Sequence, residues 1–210
     1  MAEVKIVTPS NEKYASYKTI LNNGKKNSKD DYVCFVLFCT YHKETEITLG
    51  SLEINLIKYK CRNKIFRIAN LCNLSINDDV KVFNIHEPLI QAAVGACLKS
   101  KLDFITSQSR EVAENPVPDA EFLPLKRSDK KSYNYLHNKK PVYFLDLNKT
   151  SGSVSVVRGY FNSIKKRSPV KSFFDEIKET TYLSDLSESS MPKAEPFNND
   201  IVNNDDDLPF

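Results

Sequence analysis

Three long β-patterned runs follow one another almost without a gap, and they constrain any fold open to this chain. The first, YVCFVLFCTYH (Tyr32–His42), is β-branched and aromatic and is bounded by charge. Such a run predicts a long strand covered on both faces. The second, TEITLGSLEINLIKYK (Thr45–Lys60), alternates Ile47, Leu49 and then Leu52, Ile54, Leu56, with one shift near Gly50. That shift predicts a bulge or bend at the glycine. The third, KIFRIANLCNL (Lys64–Leu74), alternates again, and VKVFNI (Val80–Ile85) reads as a short extension of the sheet.

The period then changes. In HEPLIQAAVGACLKSK the apolar positions Leu89, Ile90, Ala93, Val94, Cys97 and Leu98 recur at intervals of three and four. This spacing marks one face of a helix over 87–100, with Pro88 suited to its first turn. LDFITSQS (Leu102–Ser109) and PVYFLDLN (Pro141–Asn148) return to strand, and SVSVVRGYFNSIKKR (Ser153–Arg167) reads as a further strand-like run with a basic end. Residues 111–141 form a loop rich in proline and charge, and LNNGKKNSKD near the start reads as a loop or basic arm.

This order predicts a mainly β body with one helix. An OB-like Greek-key barrel carries its helix between the third and fourth strands, the slot that 87–100 would fill, with PVYFLDLN closing the barrel. The rival is an acyltransferase-like α/β sheet, which also runs strand, helix, strand. Such an enzyme needs a backbone cradle for a pyrophosphate at the helix N-terminus. Here that turn, NDDVKVFNIHEP, has no glycine and carries the acids Asp78 and Asp79, which argues against it.

Charge divides the chain. Residues 1–170 hold 27 Lys/Arg and 17 Asp/Glu, a net of +10; residues 171–210 hold 3 and 10, a net of −7; together they give +3. After Lys171 apolar residues are sparse among Ser, Asn, Asp and Glu, the composition of a disordered acidic tail. The expected organisation is a basic body over 1–170, an acidic linker over 171–204 and a distinct tip over 205–210.

Catalytic signals are absent from the pattern. There is no GxSxG elbow, no GxGxxG and no phosphate-binding GKS/T loop, and His42, His86 and His137 lie in unrelated contexts. The five cysteines (Cys34, Cys39, Cys61, Cys72 and Cys97) sit in or beside apolar stretches, as buried thiols do. A zinc site on Cys34, Cys39 and His42 is disfavoured, because strand positions five apart point to opposite faces and no second ligand pair follows. The expectation is a non-enzymatic protein with no cofactor and no metal. No apolar run is long enough to span a bilayer, and MAEVKIVTPS lacks the pattern of a signal peptide, so no membrane partner and a cytoplasmic setting are expected.

Nucleic-acid binding has firmer support, because single-strand grooves combine cations that track the backbone with aromatic platforms. Lys58, Lys60, Arg62, Lys64 and Arg67 surround Tyr59 and Phe66. Lys126, Arg127, Lys130, Lys131, Lys139 and Lys140 surround Tyr133 and Tyr135. Arg158, Lys165, Lys166 and Arg167 flank Tyr160 and Phe161. Phe66 reads as core, and the loop tyrosines are the better stacking candidates.

The chain ends in DDDLPF. This tip resembles that of the bacterial single-stranded-DNA-binding protein family, in which an OB domain binds DNA and a flexible linker leads to an acidic end closed by Pro-Phe. The resemblance implies a protein that coats single-stranded DNA without sequence preference. It further implies recruitment of replication, recombination and repair proteins, with Leu208, Pro209 and Phe210 as anchor and Asp205, Asp206 and Asp207 as the electrostatic part. It also suggests a bacterial or phage-infected cell, and is compatible with a homo-oligomer. An adaptor or competitor that borrows the tip is the alternative. The body lacks tryptophan and has few glycines, unlike that family, which points to a divergent phage or mobile-element analogue.

Overall fold

The computed structural model describes residues 2–21, 33–42, 45–77, 85–115, 117–118, 120–127 and 133–169. The elements are β1 (Ala2–Val7), α1 (Tyr14–Leu21), β2 (Val33–His42), β3 (Thr45–Cys61), β4 (Lys64–Ile76), α2 (His86–Lys99), β5 (Phe104–Ser107) and α3 (Arg110–Glu114). Then come β6 (Leu123–Pro124), β7 (Leu136–His137), β8 (Lys140–Pro141), β9 (Tyr143–Asp146), α4 (Ser153–Asn162), a 3₁₀ turn (Ile164–Lys166) and β10 (Arg167–Pro169).

The three runs do form long antiparallel neighbours. β2 pairs with β3 from Val33↔Asn55 to His42↔Thr45, and β3 with β4 from Gly50↔Ile76 to Cys61↔Lys64. The predicted irregularity at Gly50 is real: the β2–β3 register shifts between Phe38↔Gly50 and Cys39↔Thr48. A Cβ at Gly50 would stand 3.0 Å from Ile85 Cγ2 and 3.2 Å from Leu89 Cδ1, so a side-chain-free residue lets α2 settle onto the bend.

The barrel does not form. Eight of the ten described strands make one open sheet in the order β1-β2-β3-β4-β5-β9-β6, with β10 paired to β3 beyond the start of β2, and β7 and β8 pair with each other. The reason lies at β4 and β5, which pair in parallel from Ile68↔Phe104 to Leu71↔Ser107. A parallel neighbour requires a crossover, so α2 lies over one face of the sheet instead of plugging a barrel end.

The expectation of one helix is also corrected, since four α-helices stand among the described residues. Ser153–Arg167, read as strand-like, is mostly α4. Its buried residues Val156, Val157, Tyr160 and Phe161 repeat at helical spacing, and the β-propensity of its valines is overridden by packing on the sheet. Val80–Asn84, most of the short extension, lies outside the described residues, as does the whole of 170–210 with its linker and tip.

Two layers cover the sheet. On one face Leu52, Ile54, Leu56, Ala69 and Leu71 pack against Leu89, Ile90, Ala93 and Cys97 of α2. On the other, α1 covers Val33, Phe35 and Leu37 near the β1 edge, while α4 covers Tyr59, Phe66, Ile68 and Phe104 farther along.

The thiols divide as the packing requires. Cys34, Cys39 and Cys97 are buried, whereas Cys61 and Cys72 are half-buried. Burial pushes the Cys97 thiol up to about 12, and burial, with the Glu46 carboxylate adding to it, pushes Cys39 up to about 11. A native-state thiol-labelling time course read by mass spectrometry is expected to modify Cys61 and Cys72 well before the other three. Both raised thiols hold their proton more tightly folded than unfolded. Their contribution to stability is therefore complete below about pH 9, the unfolded value, and is lost as pH rises towards about 12.

Candidate active site

The register places polar side chains in a band between the two apolar clusters. Directly paired strand residues share a face, so Phe35↔Glu53, Glu53↔Cys72, Asn55↔Asn70 and Asn70↔Thr106 all point to the side that carries α1 and α4. Between the α1 cluster and the α4 cluster runs a polar furrow in which the register sets half-buried Glu53, Asn55, Asn70 and Cys72 side by side, with fully buried Thr106 next to Asn70.

The furrow is internally bonded. Asn73 Nδ2 donates to Glu53 Oε2 at 2.8 Å, and Asn55 Nδ2 donates to Cys72 Sγ at 3.0 Å. The Cys72 thiol donates to Glu53 Oε2 at 3.9 Å, and Thr106 Oγ1 to Asn70 Oδ1 at 3.1 Å. Asn73 adopts φ 51°, a left-handed conformation that asparagine tolerates better than most residues. It sits where the β3–β4 register shifts between Ser51↔Ser75 and Glu53↔Cys72. A bulge of this kind bends a strand and re-aims its side chains, here bringing the Asn73 amide to Glu53.

Beside the furrow the parallel pair comes apart. β5 ends at Ser107, whose hydroxyl donates to Leu71 O at 3.0 Å as the last rung, while β4 continues to Ile76. From there the chain of β5 swings into α3, whose first turn is capped by Ser109 accepting from Val112 N. A cleft of about 470 Å³ opens at this parting, lined by Asn70, Leu71, Cys72, Asn73, Gln108, Ser109, Arg110, Glu111 and Lys140. No described strand pairs with the β5-side edge of β4 at Asn73–Ile76. The Gln108 amide donates to His137 O at 2.6 Å and ties the cleft wall to the β7–β8 hairpin. Burial, and then the Arg167 charge, lower the His137 pKa.

Sequence reasoning missed this site. The available signal was Asn55, Asn70 and Asn73 inside otherwise apolar strands, since asparagine is depleted there unless a special task keeps it.

The proposed DNA-contacting residues fall in three places. Lys58, Lys60, Arg62, Lys165 and Lys166 gather near the β3–β4 turn, with Arg67 paired across from Lys58. Lys126 and Arg158 meet where the Arg158 guanidinium donates to Lys126 O at 2.5 Å. Lys139 and Lys140 lie on the β7–β8 hairpin, Lys140 at the cleft. Lys64 stands over the Phe66 ring at 4.8 Å. The Arg167 guanidinium stacks on Tyr160 at 4.1 Å and donates to Tyr160 O at 2.7 Å, a structural role. Of the aromatics, Tyr59 is buried edge-on to Tyr160, and Tyr135 donates its hydroxyl to Asn162. Only Tyr133 of these three is widely exposed, at 58%. Arg127 is exposed; Lys130, Lys131 and Asp205–Phe210 lie outside the described residues.

No family model matches the chain, and no curated protein matches its sequence. Among solved structures it is similar to a GNAT-family acetyltransferase from Staphylococcus aureus Mu50, at 15% identity over 69% of this chain and 99% of that one, TM-score 0.39. It is also similar to BjaI, a CoA-dependent acyl-homoserine lactone synthase solved with SAM and isopentyl-CoA, at 8% identity over 79% and 92%, TM-score 0.44. A third is a probable N-acyltransferase from Enterococcus faecalis V583, at 7% identity and TM-score 0.40, of which this chain spans 29% while that likeness covers 51% of this chain.

The single-stranded-DNA-binding resemblance is corrected accordingly. It implied an OB body, and the body is an open mixed sheet. The expectation of a single-stranded-DNA coat protein that is not an enzyme is corrected with it: that reading took an OB body to carry the DNA, and the three solved chains named above are described as acyl- and acetyltransferases or a CoA-dependent synthase. The strand, helix, strand order named for the rival sheet is present in β4, α2 and β5, whose two strands pair in parallel. Among the described residues no helix is long and apolar enough to cross a membrane.

Proposed function

We propose that the chain is an acyltransferase-type enzyme whose donor, an acyl thioester on a pantetheine-like arm, lies in the cleft between β4 and β5. The observation that carries this reading is the parting of the parallel pair β4/β5, with a bulge and a carboxylate beside it. In sheets with parallel strands, ligands favour the crevice at the strands' carboxyl ends. An extended arm that bears amides would pair with the open edge at Asn73–Ile76 as an added strand does.

Glu53 supplies the base. An acceptor amine in the furrow attacks the thioester carbonyl; the new N–C bond forms, the C–S bond breaks, and the amine's proton passes to Glu53. The leaving thiolate takes a proton from water. A furrow with one bonded carboxylate and three amide side chains favours an acceptor that is itself polar or cationic.

The carrier is the open part of the donor, because the sequence NDDVKVFNIHEP leading to α2 has no glycine and two acids, a poor composition for a pyrophosphate cradle. Titration calorimetry with acetyl-CoA and with acetyl-pantetheine tests the reading. Saturable binding of either, weakened by Asn73→Asp, is expected, and tighter binding of acetyl-pantetheine would identify a donor recognised without its pyrophosphate. No saturable heat with either ligand would contradict the reading.

A further inference from the structure

The β3–β4 hairpin carries a basic sheet face that α2 leaves uncovered. Leu56 and Ala69 are the last residues of β3 and β4 on that face to pack against the α2 layer. Beyond them the pairs Lys58↔Arg67 and Lys60↔Ile65 continue on the same side, and Ile65 is 57% exposed. A hollow of about 360 Å³ beside them is lined by Lys60, Arg62, Lys165, Lys166 and Ser168. Lys58, Lys60, Arg62, Lys165 and Lys166 are all exposed. No acid lines the hollow, and Asp103, beside Arg67, is engaged, accepting from Arg67 N at 2.8 Å and from Asn148 Nδ2 at 3.2 Å.

β10 delivers the rest of the chain to this face. It pairs Arg167↔Tyr59, Ser168↔Lys58 and Pro169↔Ile57. Arg167 turns towards Tyr160 on the opposite face, so Ser168 stands on the basic side. The sequence that follows, SFFDEIKETTYLSDLSE (Ser172–Glu188), holds five acids against one lysine, with Phe173, Phe174, Ile177, Leu183 and Leu186 among them. It is acidic and apolar, next to a face that is basic and presents Ile65.

We propose that this acidic segment docks on the basic face of its own body, with Asp175, Glu176 and Glu179 meeting the lysines at the hollow. The reach is short: Asp175 lies six residues beyond Pro169, within about 20 Å of extended chain. Such a tether gives a millimolar-range effective concentration, enough for contacts that are individually weak. The body's cations are thereby held by the chain's own carboxylates.

Zero-length carbodiimide cross-linking of the full chain, mapped by mass spectrometry, tests this. Cross-links from Asp175, Glu176 or Glu179 to Lys60, Lys165 or Lys166 are expected within single chains. Their yield should fall severalfold when salt is raised tenfold, because screening shortens the range of exposed charges. Yield should fall likewise in Lys60→Gln/Lys165→Gln/Lys166→Gln, whose side chains are exposed and whose loss leaves the core intact. Cross-links that join only two chains, or yields indifferent both to salt and to the lysine substitutions, would overturn the proposal.

Discussion

Leu89→Ala is expected to lower the free energy of unfolding by about 2–5 kcal/mol, the largest stability effect of any single change considered for this chain. Leu89 is fully buried on α2 and would lie 3.2 Å from a Cβ at Gly50, so its side chain fills the bend where β3 leaves its regular register. Truncation removes buried methyl groups and leaves a cavity against a sheet that is fixed on both sides by β2 and β4. The surroundings have little freedom to collapse, which places the cost towards the upper part of that range. Urea unfolding followed by circular dichroism gives the number. A loss below about 1 kcal/mol would mean that α2 does not seat on the bend as described.

Glu53→Gln is expected to reduce acyl transfer by about 10²–10⁴-fold with little change in donor affinity, the range associated with loss of a positioned base. Glutamine keeps the shape and can still accept from Asn73, so the sheet should remain as stable as before. The split between kcat and binding is the informative part. A parallel loss of donor affinity would make Glu53 a structural partner of the bulge. Unchanged turnover would remove it from the chemistry.

Much of the sheet was legible in the sequence because alternation is a local property. Ile47 to Leu56 showed the strand and its bend together, and Leu89 to Leu98 showed the helix. The partnership of β4 with β5 was not local. Nothing in IFRIANL or LDFITSQS records whether the two lie parallel, and that single choice separates a barrel from an open sheet. The valines of α4 misled for a similar reason: their β-propensity is a property of the residue, whereas Val156, Val157, Tyr160 and Phe161 are placed by the surface they cover. The candidate site was harder still. Glu53, Asn55, Asn70 and Cys72 come from two strands and become neighbours only once the register is set. The cations, conspicuous in the sequence, are distributed over three surfaces.

Hydrogen exchange of the backbone amides in β4, with and without saturating acetyl-pantetheine, tests the central claim most directly. Asn73–Ile76 form the edge that extends past the end of β5, so a ligand arm laid along them should slow their exchange while leaving Ile68–Leu71, already paired with Phe104–Ser107, unchanged. Protection confined to Asn73–Ile76 and the facing residues Gln108–Arg110 is the expected result. Exchange at Asn73–Ile76 that is the same with and without the ligand would contradict the placement of the donor between β4 and β5.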